Sequence, residues 1–270
     1  MTKNKLKVLD LFSGIGGFSL GLERTGGFET VAFCEIDKYC QKVLRKHWNN
    51  VPIFNDIKEL TNDKLRKQGI EPTVITGGFP CQDISLSGGR KGIIGKRSGL
   101  WNEMFRVIKD VQPQWAIIEN VSPLRSKGLT LVLQNLSEVG YHAEWHCVPA
   151  SAIGAPHQRD RIWIVAYPDS GFISCPRRSS LIQRYVLAKT ERNEKADGFV
   201  FDDFGKLSEG TINNFKAEHW LHQSPRCRMV DGLPKRLDKN RLKQLGNSLV
   251  PQIPQLIGYA ILEYEKDINK

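Results

Sequence analysis

Hydrophobic and polar positions along residues 1–166 follow the spacing of short buried strands that alternate with amphipathic helices. Short apolar runs bounded by turn residues predict strands, which we place at Lys7–Leu11, Glu29–Cys34, Thr73–Thr76, Trp115–Glu119, Tyr141–Val148 and Arg161–Ala166. Helical spacing predicts helices at Phe18–Thr25, Asp37–Trp48 (capped by Asp37), Leu100–Val111 and Leu129–Val139. This alternation predicts an α/β fold with a doubly wound, mostly parallel sheet.

The pattern is lost after residue 166. The stretch from 167 to about 228 is polar, mixed in charge and without a clear period, and an apolar helical pattern resumes at Pro251–Tyr264. We therefore predict a main domain built from residues 1–166 together with about 245–270. A small irregular lobe would occupy about 167–244.

The composition is that of a globular protein, with 40% hydrophobic and 25% charged residues among 270. No apolar run is long enough for a transmembrane helix, and Asp10 interrupts the apolar stretch near the start, so we expect a cytoplasmic protein rather than a secreted one. The net charge of +10 suits a polyanionic partner such as nucleic acid, but it equally suits a soluble basic protein. Six scattered cysteines without a CxxC pair predict no structural zinc.

A glycine-rich turn follows the first predicted strand. The segment Asp10–Phe18 reads DLFSGIGGF, and glycines there allow a backbone to approach a ligand closely beside the first N–H groups of a helix. The spacing is not GxGxxG, because residue 19 is Ser, so a cofactor smaller than a dinucleotide is favoured. A purely structural turn remains the alternative.

Two carboxylates follow the next strands. Glu35 comes after the second predicted strand, about 20 residues beyond the glycine turn, where an acidic side chain can bond ribose hydroxyls. Asp56 follows a third short apolar segment and is placed to receive an adenine amino group. The alternatives are a solvated carboxylate at a helix start for Glu35 and a turn residue for Asp56.

A cysteine lies on the loop after the Thr73–Thr76 strand, in the segment GGFPCQDIS at 77–85. A thiol at the ligand-facing edge of an open sheet is placed to act as a nucleophile. Residues 86–99 add five glycines and four basic side chains, which suggests a lid that closes over a polyanion. An exposed linker is the alternative.

A third group of polar residues belongs to the last strands. Glu119-Asn120-Val121 follows an apolar strand, where a carboxylate can serve as an acid or a base. In Gln158–Trp163, strand alternation would point Arg159 and Arg161 to one face, with Asp160 opposite. Two arginines on one side suit a carboxylate or a phosphate, and a surface ion-pair ladder is the alternative.

Taken in this order, the segments resemble those of the C5-cytosine DNA methyltransferases. The resemblance is carried by Phe79-Pro80-Cys81-Gln82 after Gly77-Gly78, by Glu119-Asn120-Val121, by Gln158-Arg159-Asp160-Arg161 and by the closing motif at 244–251, QLGNSLVP. It covers about 5–166 and 229–261 and implies the fold of S-adenosylmethionine-dependent methyltransferases. The variable lobe, 167–244, would read the target DNA, and its short length suggests a short recognition site.

The resemblance also implies residue roles. Cys81 would attack C6 of a flipped-out cytosine, and Glu119 would bond its N3 and exocyclic amine. Arg161 would help to orient Glu119 and the base, with Arg159 close by as a further catalytic residue. S-adenosylmethionine would be held by Phe12, Gly14, Ile15, Gly16, Gly17, Glu35, Ile36, Asp56, Ile57, Leu100, Asn247 and Ser248, with no metal. Contacts to double-stranded DNA are expected from Gln82, Ser85, Arg90, Lys91 and Arg97.

We expect a monomer that does not bind membranes and that belongs to a restriction-modification system, with a restriction enzyme acting separately, or to a phage. Two alternatives stay open: a tRNA cytosine-C5 methyltransferase of the same fold, and a DNA-binding relic without catalysis. A zinc nucleobase deaminase is rejected. His142-Ala143-Glu144 and Pro80-Cys81 match parts of its signature, but in reversed order and without a second cysteine.

Overall fold

The computed structural model describes residues 4–80, 99–153, 155, 158–168, 244 and 247–268. Within these ranges, seven strands form one sheet: β1 (Leu6–Leu11), β2 (Phe28–Cys34), β3 (Ile53–Phe54), β4 (Val74–Gly77), β5 (Trp115–Val121), β6 (Tyr141–Val148) and β7 (Arg161–Pro168). Their order across the sheet is β3-β2-β1-β4-β5-β7-β6. All neighbours pair in parallel except β7, which is antiparallel to both β5 and β6.

The described helices are α1 (Gly17–Glu23), α2 (Lys38–His47), α3 (Asn62–Arg66), α4 (Gly99–Val111), α5 (Leu124–Lys127), α6 (Leu129–Glu138) and α7 (Gln252–Ile268), with 3₁₀ turns at Ile57–Glu59 and Ala150–Ile153. Asp37 caps α2 as predicted, because its side chain accepts hydrogen bonds from the backbone N–H groups of Tyr39 and Cys40. The alternation of these helices with the strands confirms the α/β class, and the strand pairing confirms the mostly parallel sheet.

Alternating side chains of the strands form two separate cores, one on each face of the sheet. Leu9 and Leu11 of β1 face a core shared with α3 to α6, which includes the fully buried Trp101 of α4. Val8 faces the other core, which α1 and α7 cover. Because described helices cover both faces, we expect ligands at the carboxyl ends of the strands.

The C-terminal helix packs tightly on α1. A Cβ atom on Gly21 of α1 would lie 2.2 Å from the backbone oxygen of Pro251, and one on Gly258 would lie 3.0 Å from Leu22. Glycine at these positions lets the two backbones approach more closely than any side chain would allow. This packing brings the residues just before α7 next to the turn between β1 and α1.

The six predicted strands and the four predicted helices before α7 are confirmed to within two residues, while α7 extends to Ile268 beyond the predicted end at Tyr264. One expectation is wrong. Arg159 and Arg161 were expected to alternate along one strand, but β7 begins at Arg161 and Arg159 precedes it with a φ of 35°. The predicted lobe at 167–244 lies outside the described residues apart from Tyr167, Pro168 and Gln244.

Candidate active site

Strands β1, β2 and β4 end at the same level of the sheet, and β5 continues three residues beyond it. Leu11 pairs with both Cys34 and Gly77, and Gly77 pairs with Ile118. The residues that follow these four are Phe12, Glu35, Gly78 and Glu119, so a single edge of the sheet gathers the predicted cofactor and base-binding groups. This is the edge at which parallel α/β sheets bind ligands.

The turn between β1 and α1 is built from left-handed backbone conformations. Phe12 has a φ of 52°, Gly14 of 54° and Gly16 of 85°. The Ser13 hydroxyl donates to the Asp10 carbonyl at 2.5 Å, and the Gly16 N–H donates to the Ser13 carbonyl at 2.8 Å. A Cβ atom on Gly14 would meet nothing within 4 Å, so open space adjoins the turn at that point.

Glu35 holds this turn from the end of β2. Its Oε2 accepts the N–H of Gly14 and its Oε1 accepts the N–H of Asp37, each at 2.7 Å. Burial raises the pKa of Glu35, and the two backbone donors partly oppose the shift. Each carboxylate oxygen has a second lone pair, so these bonds leave Glu35 able to accept further hydrogen bonds.

The other predicted cofactor residues differ in their burial and contacts. Ile36 is 70% exposed, an unusual setting for a large apolar side chain. Asp56 caps the 3₁₀ turn by accepting the Lys58 N–H at 3.0 Å, so it does act as a turn residue, the alternative to binding adenine. Ile57 is buried beneath it, Leu100 packs partly on the core, Asn247 is exposed, and Ser248 is half-buried.

Asp10 is a buried carboxyl that connects the cofactor turn to β4. It is fully buried, and it accepts hydrogen bonds from the hydroxyls of Ser19 at 2.8 Å and Thr76 at 2.9 Å. Burial raises its pKa from an ordinary value of 3.8 to about 7, and the charge of Glu35 adds to this shift. The sequence gives no role to Asp10, since a carboxyl at a strand end carries no sign of which hydroxyls it will meet.

Glu119 forms an ion pair with Arg161 across the last two strands of the site. The Arg161 Nε lies 2.9 Å from Oε1 of Glu119, whose side chain is 14% exposed. Burial raises the pKa of Glu119, and the positive charges of Arg161 and Arg159 oppose the shift. The pair is possible because β7 runs antiparallel to β5, which places Arg161 opposite Val121.

Arg159 also acts on the Glu119 carboxylate, but from the segment before β7 rather than from a strand as predicted. Its left-handed backbone turns the chain just before β7, and its guanidinium donates a hydrogen bond to the backbone carbonyl of Ser248. The charges of Arg161 and Glu119 both act on the guanidinium, and burial lowers its pKa. The structure therefore brings Arg159, Arg161 and Glu119 together, although Arg159 does not belong to a strand.

Two contacts fix the backbone that leads to Cys81. A Cβ atom on Gly78 would lie 2.8 Å from Oε2 of Glu119, so any larger residue would have to displace that carboxylate. Asn120 donates from Nδ2 to the Phe79 carbonyl at 3.1 Å and accepts the Val121 N–H at 2.8 Å. Cys81 itself lies outside the described residues, as do Gln82, Ser85, Arg90, Lys91 and Arg97.

Comparison with known proteins identifies the family. The family model for C-5 cytosine-specific DNA methylases matches residues 6–226, which is most of the chain. The chain belongs to this family. Among the described residues, no helix is long and apolar enough to cross a membrane, and no group of three or more His, Cys, Asp or Glu side chains could hold a metal ion.

Two curated members of the family show how far the similarity extends. The chain is 38% identical over 169 residues to the type II methyltransferase M2.BsuMI of Bacillus subtilis strain 168, in a match that covers 60% of this chain and 42% of that protein. It is 34% identical to M1.ScrFI of Lactococcus lactis subsp. cremoris, covering 96% of this chain and 78% of that protein. The chain thus spans less than half the length of the first of these relatives.

Solved structures support the fold. The methyltransferase EhMeth of Entamoeba histolytica superimposes with a TM-score of 0.62 at 18% identity, covering 97% of this chain and 99% of that protein. At this identity the likeness shows the methyltransferase fold alone. The fold and family expected from the motifs are both confirmed.

Within this family member, sequence reasoning missed three residues that the structure places at the site. Asn120 lies inside the motif Glu119-Asn120-Val121 and Gln244 inside the motif at 244–251, while Asp37 was predicted only as a helix cap. Gln244 donates to Oδ2 of Asp37 at 3.1 Å, across 207 positions of the chain. Their position within or beside the motifs could have pointed to them, but the contacts depend on the folded arrangement.

Proposed function

We propose that this family member transfers a methyl group to C5 of a cytosine within a short, specific sequence of double-stranded DNA. The observation that carries the proposal is the Glu119–Arg161 ion pair at the carboxyl edge of β5. It lies beside the backbone that leads to Cys81, and the Glu35-bound turn lies further along the same edge. A base-binding carboxyl and a cofactor turn therefore share one edge.

The raised pKa of Glu119 suits contact with a cytosine ring. A protonated carboxyl can donate a hydrogen bond to N3 of the ring while its other oxygen accepts one from the exocyclic amine. Arg161 holds Oε1 of the carboxyl and so fixes its orientation. A proton shared with N3 would offset the charge that the ring gains when a nucleophile adds to it.

Cys81 would supply that nucleophile. Its thiolate would form a bond to C6 of a base flipped out of the duplex, which makes C5 electron-rich. S-adenosylmethionine, when bound, would supply the methyl group that C5 accepts, and S-adenosylhomocysteine would be left as the product. Loss of the C5 proton would then return an electron pair to the ring and expel Cys81.

The described residues of the cofactor turn fit a nucleoside-bearing ligand. Open space beside Gly14, the Glu35 carboxylate and the exposed Ile36 combine a close backbone, a hydroxyl acceptor and an apolar surface. The roles predicted for Phe12, Asp56, Leu100, Asn247 and Ser248 remain part of this proposal. We also propose that the protein acts as a monomer in the cytoplasm of a bacterium or an infected host, and that it belongs to a restriction-modification system or to a phage.

A trapping experiment tests the chemistry. DNA carrying 5-fluorocytosine at the target should form a covalent adduct with the protein. Fluorine replaces the C5 proton whose loss would expel Cys81, so the bond between Cys81 and C6 should remain. Cys81→Ala should abolish the adduct, while Cys147→Ala, a matched change on β6, should leave it intact. Active protein that forms no adduct would contradict the covalent step.

Bisulfite sequencing tests the substrate. DNA and tRNA from cells that express the protein should be converted and sequenced side by side, with cells expressing the Cys81→Ala variant as the control. Protected cytosines in one short DNA context are expected. Protection in tRNA alone would favour the RNA-modifying alternative, and no protection in either would favour a binding protein without catalysis.

A further inference from the structure

The segment that precedes α7 is held to the site at both ends. We call the described residues Gln244 and 247–250 the closing segment. At one end Gln244 donates from Nε2 to Oδ2 of Asp37 at 3.1 Å. At the other end the Ser248 carbonyl accepts from Arg159, and within the segment the Ser248 N–H donates to the Gln244 carbonyl at 2.8 Å.

Asp37 connects the closing segment to the cofactor turn. Its Oδ1 caps α2, its backbone N–H donates to Oε1 of Glu35, and its Oδ2 receives Gln244. The other oxygen of Glu35 accepts the N–H of Gly14. A continuous series of hydrogen bonds therefore runs from Gln244 through Asp37 and Glu35 to Gly14.

The chemistry of the two side chains fixes the orientation of this bond. An ionised carboxylate can only accept hydrogen bonds, so the nitrogen of the Gln244 amide must face Asp37. Gln244 is only 8% exposed, which limits competition from water. A charge-assisted bond in this setting is about twice as strong as one between neutral groups.

We propose that Gln244 is a positioning residue that, through Asp37, holds the closing segment against the cofactor turn, and that Arg159 fixes the other end of the segment beside Glu119. The inference rests on the proposed S-adenosylmethionine site, because Asn247 and Ser248 would line it. The closing segment then joins the cofactor side of the site to the base side. Neither Gln244 nor Asp37 needs to touch the methyl donor.

The expected effect is on cofactor affinity rather than on methyl transfer. If the cofactor binds only when the closing segment is in place, its apparent dissociation constant rises as the fraction of closed molecules falls. A closed fraction of about one-tenth would weaken binding about tenfold. At saturating cofactor the segment is held by the ligand as well, so kcat should change much less than KM.

An exchange of donor and acceptor tests the contact. Gln244→Glu places two carboxylates face to face and should weaken the binding of S-adenosylmethionine, titrated calorimetrically without DNA, about tenfold. Combining it with Asp37→Asn restores one donor and one acceptor, and asparagine remains a good helix cap. The double variant should regain affinity to within about threefold of the natural protein. Gln255→Glu, on α7 where the side chain contacts Tyr259, is the matched control.

Each result has a distinct meaning. Unchanged affinity in Gln244→Glu overturns the inference, and so does a loss that Asp37→Asn fails to repair. A natural protein that binds no S-adenosylmethionine would overturn the proposed cofactor itself, which the first titration reveals before any variant is compared. If Gln244→Glu does not fold, Gln244→Ala removes the bond without adding charge, and unchanged affinity in that variant overturns the inference equally.

Discussion

Replacing the buried Asp10 with asparagine should make the protein more stable at pH 8 than the natural sequence. Asp10 has no exposed surface, and its carboxyl accepts hydrogen bonds from the Ser19 and Thr76 hydroxyls. An asparagine side chain can accept from one hydroxyl and donate to the other, so both contacts can be kept. What the substitution removes is the cost of ionising a carboxyl in the protein interior.

The size and sign of the effect follow from the pKa. Folding raises the pKa of Asp10 from 3.8 to about 7, so between these values the folded state holds a proton that the unfolded chain releases. Stability therefore falls as the pH rises through this window and levels off above it. At about 1.4 kcal/mol per pH unit, the advantage of Asp10→Asn over the natural protein should grow by roughly 2–3 kcal/mol between pH 5 and pH 8.

Urea unfolding followed by circular dichroism at pH 5, 6, 7 and 8 measures the difference directly. Asp110→Asn serves as the control, since that carboxyl is exposed and pairs with Arg106 at 3.5 Å on the surface of α4. The control should change stability by less than about 1 kcal/mol. A stability difference between Asp10→Asn and the natural protein that does not vary with pH would refute the inference that Asp10 takes up a proton on folding.

Three further predictions concern the site and its support. Gly21→Ala should destabilise the protein by about 1–3 kcal/mol in urea unfolding, because the added methyl meets the Pro251 carbonyl; Gly99→Ala, with nothing within 4 Å, should cause no loss. Arg161→Met should raise the pKa of Glu119 further, so the alkaline limb of single-turnover methylation should move to higher pH, while Arg161→Lys should move it less. Glu35→Ala should weaken S-adenosylmethionine binding in a calorimetric titration by about 1.5–3 kcal/mol, and unchanged affinity would remove Glu35 from the pocket.

Much of the fold was predictable because strands and helices follow local periodicity. Apolar runs located the buried strands, and the type of residue 37 located the start of α2. The motifs likewise indicated that Phe12, Glu35 and Glu119 lie at one end of the sheet, because each is at or just beyond the end of a predicted strand. These features depend on residues that are close together in the sequence, so a single sequence is enough to predict them.

The contacts that support the site could not be predicted in this way. Asn120 meets a carbonyl 41 residues earlier, and Gln244 meets a carboxylate 207 residues earlier. The backbone of Arg159 adopts a left-handed conformation that is uncommon for a residue with a side chain, so strand alternation failed there. Such contacts depend on the packing of distant segments.

The reversed direction of β7 explains why the site contains an ion pair. In parallel strands only the residues at the carboxyl ends reach the ligand edge, and a parallel β7 would leave Arg161 at the opposite edge, roughly 25 Å away over its eight residues. Because β7 is antiparallel to β5, its first residue lies opposite Val121, and Arg161 meets Glu119. The chain between β6 and β7 turns at that same edge and brings Arg159 with it. One reversed strand thus supplies the positive charge that a sheet of parallel strands would place out of reach of Glu119.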